Sequence, residues 1–288
     1  MTQASAHTDT VKRTSVRLMC LATHHKGGTI WMKQIVKSLS MAWNIPWIGI
    51  WSERQLGAIP DQGAALLVNW NGYFPTQVWD NPDAAFVHVI RDPRDILLSG
   101  CQYHHYAGPK GERFLHRPLD RYDGLTYQEK LNSIDLYDDK LLFEMEGKHA
   151  DTVAEMRAWP VDGPSSVTLR YEDLMGDTEA RLFSDGIKVW QLDETSTLDA
   201  AAAFYSNSLF GGAADTNQRV AQHVQSGSQN RWMREMPRSV GEKYAEHFGQ
   251  DLIDLGYEKD TSWVEKLPET STPFAIKAPT GAANATVH

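Results

Sequence analysis

The apolar positions of the chain alternate between short continuous runs and longer stretches of helical spacing. Val16–Ala22 is a nearly continuous apolar run, the pattern of a strand buried on both faces. Behind it, Ile30, Trp31, Ile35, Val36 and Leu39 recur at helical spacing and predict a helix over Thr29–Ala42. Pro46–Trp51 and Ala64–Val68 read as further short strands. Ala84–Ile90 is another buried-type strand, followed at once by a helix from Pro93, with proline in the first turn. Ser166–Arg170 completes the strands. Thr126–His149, Thr178–Trp190, Leu198–Tyr205 and Pro237–Leu255 carry helical patterns. Residues 107–127 and Gly211–Gly227 are rich in turn residues and predict loops that could serve as lids. Residues 1–14 read as a flexible N-terminus and 267–288 as a disordered tail, which leaves one α/β domain over 15–266. Strands alternating with helices predict a three-layer α/β/α fold around a central, mostly parallel sheet, with ligands at the carboxyl ends of the strands.

Composition narrows the function classes. The 288 residues are 41% hydrophobic and 23% charged, ordinary for a globular protein, with a net charge of −9. That charge argues against nucleic acid held over a broad surface, while leaving room for a local anion pocket. The two cysteines, Cys20 and Cys101, make no disulfide framework and fit a reducing compartment. The sequence shows neither a membrane span nor a secretory pattern, so the cytoplasm is the expected location. Of the 10 tryptophans, Trp31, Trp43, Trp47, Trp51, Trp70 and Trp79 crowd the first part of the chain, as core packing or as the lining of a pocket.

The chemistry begins at Thr23-His24-His25-Lys26-Gly27-Gly28-Thr29-Ile30-Trp31, between the first strand and the first helix. Backbone N–H groups at a helix N-terminus and the Lys26 cation converge on one anion, a P-loop-like cradle. The loop that binds nucleoside triphosphates places its lysine after the glycines. Here Lys26 precedes Gly27 and Gly28, so the order points to a different phosphate. A second anion site follows Ala84–Ile90. Arg91 ends that strand, and Ser99 lies two helical turns on, a guanidinium and a hydroxyl suited to a phosphate monoester. Structural pairing of Arg91 with Asp95, or of Asp92 with Arg94, is the alternative use of those residues. Two separate anion sites suggest a nucleotide with phosphates at two positions.

The combination K-G-G-T-I-W followed by R-D-P-R-D-x-x-x-S resembles the cytosolic-type sulfotransferase family, which moves a sulfuryl group from 3′-phosphoadenosine 5′-phosphosulfate (PAPS) to a hydroxyl or amine. The likeness runs from Lys26 to Tyr257 and includes Leu169–Leu174, similar to the family's R-Y-E-D-L segment, and Gly227–Trp232, similar to its R-K-G-x-x-G-D-W. The resemblance implies that Lys26, Gly27, Gly28, Thr29 and Ile30 hold the 5′-phosphosulfate, with Lys26 stabilising the bridging oxygen as the S–O bond breaks. It implies that Trp31 stacks on the adenine, that Arg91 and Ser99 bind the 3′-phosphate, and that Tyr171, Ser206 and Gly227 complete the cofactor site, with no metal.

Three departures stand out. The R-K-G clamp is Gln225-Ser226-Gly227, leaving Arg219, His223 or Arg231 to compensate. G-D-W is Asn230-Arg231-Trp232. The T-H-x-P histidine is missing, because the corresponding stretch is Val68-Asn69-Trp70-Asn71-Gly72. A general base is still required. Glu53, past the second strand in a setting of tryptophans, is the first candidate, as other sulfotransferase branches use a glutamate downstream of the loop lysine. His24 and His25 come next, and His104 and His105 could face an acceptor; Asn69 or Asn71 could only orient one. The acceptor expected is an aromatic or amphipathic small molecule. The alternatives are a small-molecule or nucleoside kinase with a degenerate loop, and a non-catalytic nucleotide-binding protein.

Overall fold

The structure is a computed structural model and describes residues 16–109, 112–160, 162–216 and 229–274. It divides into two compact units, formed by the described residues of Met1–Ile90 with Ala158–Gln225 and of Arg91–Arg157 with Ser226–His288.

The first unit holds a five-stranded sheet in the order β2-β3-β1-β4-β5, from β1 (Leu18–Ala22), β2 (Trp47–Gly49), β3 (Ala65–Asn69), β4 (Ala84–Ile90) and β5 (Ser166–Arg170). Every pairing is parallel. This is the expected α/β fold, an all-parallel sheet flanked by helices. Side chains alternate between its faces. Met19, Leu21, Leu66, Val68, Val87 and Val89 join one core with α1 (Thr29–Ala42) and the helices Arg181–Gly186 and Glu194–Ser206. Leu18, Cys20, Ala22, Leu67 and Phe86 face the opposite core, closed by Phe74, Val78 and Trp159. β1 lies between β3 and β4, so the chain leaves its carboxyl end where the strand order reverses. Ala22 is in register with Asn69 on β3 and with His88 on β4, which brings the ends of those two strands to the loop that follows β1.

The second unit is helical and begins with α2 (Pro93–His104). The single helix expected over Thr126–His149 is broken. It forms Tyr127–Asn132 and Tyr137–Glu144, then a π-turn at Met145–His149 that leads into Ala150–Arg157. Ser133-Ile134-Asp135-Leu136 alternates polar and apolar positions instead of keeping the helical period, and Gly147, outside helical geometry, lies against the Tyr127 ring, where a Cβ would collide. Leu267 and Phe274, in the stretch expected to be disordered, are packed. Leu267 is 2% exposed, and the Phe274 ring meets Tyr137 at 5.1 Å. The expected flexible N-terminus, residues 1–14, lies outside the described residues.

Candidate functional site

The loop after β1 is folded by its own polar groups. Gly27 N–H donates to His24 O (2.9 Å), Thr29 Oγ1 donates to the same carbonyl (3.0 Å), and Thr23 Oγ1 donates to Gly27 O (2.8 Å). Lys26 takes a positive φ of 59°. Gly28 is the N-cap of α1 at φ 97°, and no side chain caps the helix or places an acid in its first turn. The first N–H groups of an α-helix have no intrahelical partner, and the helix dipole adds positive potential there. The loop therefore presents backbone donors and a lysine together, the arrangement that takes an oxyanion. Gly28 is also required sterically, because a Cβ would stand 2.9 Å from Cδ2 of Tyr171. Trp31 is 8% exposed, donates its indole N–H to Phe204 O (3.3 Å) and packs on the Phe204 ring. Tyr171 meets Trp31 edge-on at 6.1 Å. Ile30 is half-buried, and Ser206 is exposed at the end of its helix.

Behind the lysine, a chain of polar groups runs from two buried histidines to an exposed carboxylate. His24, fully buried, meets His88 Nε2-to-Nε2 at 2.7 Å. His88 Nδ1 meets Thr168 Oγ1 at 3.2 Å, and Thr168 donates to Asp162 Oδ1 at 2.8 Å. Trp159 stacks on His88 at 4.1 Å. Burial pushes the His88 pKa well below the ordinary imidazole value, and the neighbouring His24 pushes the same way. Gly72, at φ 62°, covers the His24 ring, and a Cβ there would overlap it. His24 thus fills space against the Val68–Gly72 stretch, where the chain itself carries no titratable side chain. His88, Thr168 and Asp162 escaped the sequence reading. The signal available was one histidine in an otherwise apolar strand.

Glu53 begins the turn Glu53–Ala58 and is exposed, its Oε1 accepting from Gln77 Nε2 at 3.2 Å. His25 is half-buried beside Lys26. Asn69 is a structural tie: its Nδ2 donates to Ile50 O (2.5 Å), and its Oδ1 accepts from Asn71 N (2.7 Å) and Tyr73 N (3.2 Å). It joins two loops bearing aromatic side chains. Trp51 is 46% exposed and 6.5 Å from Trp70, and Tyr73 is 52% exposed.

In the second unit, Arg91, Asp95 and Ser99 recur at intervals of four, which places them along one face of the α2 entry. Arg91 reaches Asp95 at 3.6 Å. Asp95 also accepts the Trp232 N–H (3.1 Å), and burial raises its pKa above 3.8. Arg94 is committed to structure. It makes a double contact with Asp92 (3.0 and 2.8 Å), pairs with Glu258 (2.6 Å) and stacks on Trp232 (3.5 Å). Arg231 is held by Glu235 (2.6 Å) and Gln102 (3.1 Å), so its guanidinium is already engaged. His104 Nδ1 bonds the buried Glu144 at 2.8 Å, and Tyr127 bonds the same oxygen at 2.9 Å. His105 bonds Asn132. Gly227, Arg219, His223, Gln225 and Ser226 lie outside the described residues.

A parallel sheet whose central strand leads through a glycine-capped turn into a helix defines an α/β protein. Solved structures make the fold specific. The mouse sulfotransferase SULT7A1 complexed with PAP superposes with a TM-score of 0.58 at 14% identity, over 84% of this chain and 87% of that one. Retinol dehydratase is similar in two complexes. The one with androsterone and inactive cofactor PAP has a TM-score of 0.47 at 14% identity, over 83% of this chain and 82% of that one. The one with retinol and PAP has a TM-score of 0.48 at 13% identity and the same coverage. No protein-family model and no curated protein sequence matches the chain. The chain has the fold of a sulfotransferase. No helix among the described residues is long and apolar enough to cross a membrane.

Proposed function

We propose that this protein is a member of the sulfotransferase family and moves the sulfuryl group of PAPS to a hydroxyl or amine of a small-molecule acceptor. The observation that carries this reading is Lys26 beside the Gly28-capped start of α1, an open helix N-terminus with a cation on its loop. The 5′-phosphosulfate is taken by that loop, and the 3′-phosphate by Arg91 and Ser99. The acceptor oxygen bonds to sulfur as the S–O bond to the 5′-phosphate breaks. Lys26 and the loop amides stabilise the charge that gathers on the departing oxygen, an interaction made chiefly in the transition state. The acceptor's proton goes to a base, and PAP leaves.

We place that base at His24. It stands two residues from Lys26 in a buried hydrogen-bonded network, whereas Glu53 is exposed and bonded by Gln77. The exposed rings of Trp51 and Tyr73, with Trp70, favour an aromatic or amphipathic acceptor. The test is release of PAP from PAPS with a panel of phenols, alcohols and amines. Lys26→Ala should lower turnover steeply while the variant stays folded, and unchanged turnover rejects the reading. Transfer from ATP that a chelator abolishes would indicate the kinase instead.

A further inference from the structure

The proton-bearing atoms of the His24–His88 chain follow from its far end. Asp162 only accepts: Oδ2 takes the Thr168 N–H at 2.7 Å, and Oδ1 takes the Thr168 hydroxyl at 2.8 Å. A hydroxyl has one proton to give. Thr168 Oγ1 therefore meets His88 Nδ1, 3.2 Å away, as the acceptor, and His88 carries its proton on Nδ1. A neutral imidazole has one N–H, so His88 Nε2 holds a lone pair. His24 Nε2, 2.7 Å from it, must be the donor. Burial keeps His88 neutral, and the stacked Trp159 fixes its plane.

We propose that His88 is a positioning residue that fixes His24 as its Nε2–H tautomer, making Nδ1 the atom that takes the acceptor's proton. The role rests on the sulfotransferase reading with His24 as base. As the acceptor O–H bond breaks, its proton passes to His24 Nδ1 and its electron pair forms the O–S bond. The imidazolium then keeps its Nε2–H bond to a neutral partner, and no proton has to leave along the chain. An orienting group that sets the tautomer of a catalytic imidazole is a general device. The backbone at Gly72 lies against the ring, on the Nδ1 side as well, so the acceptor reaches Nδ1 only as that turn gives way.

The test is long-range 1H–15N NMR on the full chain with labelled histidine at neutral pH, assigned with His24→Gln and His88→Gln. His24 should show a protonated Nε2 and a bare Nδ1, and His88 a protonated Nδ1. Thr168→Val removes the terminal acceptor but keeps the side-chain shape. It should shift the His24 and His88 nitrogen signals toward the opposite tautomers, and Thr168→Ser should leave them as in the wild type. A His24 protonated on Nδ1, or signals indifferent to Thr168→Val, overturns the proposal. Calorimetric titration of the same samples with PAP separates the two readings. Reversed polarity in a chain that binds PAP overturns the positioning role alone, whereas failure to bind PAP overturns the sulfotransferase reading beneath it.

Discussion

Two helix starts follow neighbouring strands of this protein, and they are finished in opposite ways. α1 opens on Gly28 with no side-chain cap and no acid in its first turn. α2 is closed by its own sequence: Asp92 accepts the Arg94 N–H at 2.9 Å, Pro93 fills the first turn and Asp95 adds a carboxylate. The first leaves its opening turn uncapped by side chains, the finish that the proposed 5′-phosphosulfate site needs. The second is capped and paired by its own side chains, so the 3′-phosphate proposed there would be held by Arg91 and Ser99 rather than by backbone N–H groups. Substitutions at the two starts should therefore fail differently.

The largest effect is expected at the closed start. Asp92→Ala removes the cap and one of the two carboxylates that pair with the buried Arg94, leaving Glu258; breaking a buried pair costs up to about 3–5 kcal/mol. Denaturant melts would show it; a loss under about 1 kcal/mol, within the range of an exposed pair, would mean that Asp92 does not close α2 as described. At the open start, Lys26→Ala should lower sulfuryl transfer by roughly 10²–10³, the cost of one electrostatic donor in the transition state, with stability nearly unchanged. Gly28→Ala forces a Cβ into the positive-φ region and against Tyr171, and should cost about 1–3 kcal/mol together with weaker PAP binding. If Gly28→Ala binds PAP as the wild type does, the open helix start is not the anion site.

The smallest effect is a pH dependence. Burial raises the Asp95 pKa above 3.8, so the folded state holds that proton more tightly than the unfolded chain does. Asp95 therefore contributes stability below that value, and the contribution is lost as pH rises through the folded pKa. Relative to the wild type, Asp95→Asn should gain stability as the pH is raised from about 4 to neutrality. Paired melts across that range check the sign.

Local features of both starts were legible in the sequence. The α1 and β4 boundaries fall where the apolar period places them, and a strand, two glycines and a helix fix the Lys26 loop within a few residues. The broken helix after Tyr127 was not legible. Its later kink sits where Gly147 meets Tyr127, a contact between residues 20 apart that no local period records. The His24–His88 bond joins residues 64 apart, and Thr168 another strand away, so only the parallel register brings them together. Four-residue pieces such as Thr76–Trp79 and Trp232–Glu235 are too short to show a period.

The proposed sulfotransferase reading requires the protein to recognise the 3′-phosphate of its nucleotide, and Arg91 is the side chain proposed to do so. Calorimetric titration of the wild type and of Arg91→Ala with PAP and with 5′-AMP, which lacks the 3′-phosphate, tests it directly. The account predicts that the wild type binds PAP more tightly than 5′-AMP and that Arg91→Ala erases the difference, leaving 5′-AMP affinity as it was. Equal affinity of the wild type for the two nucleotides, or a preference for PAP that survives Arg91→Ala, would contradict it.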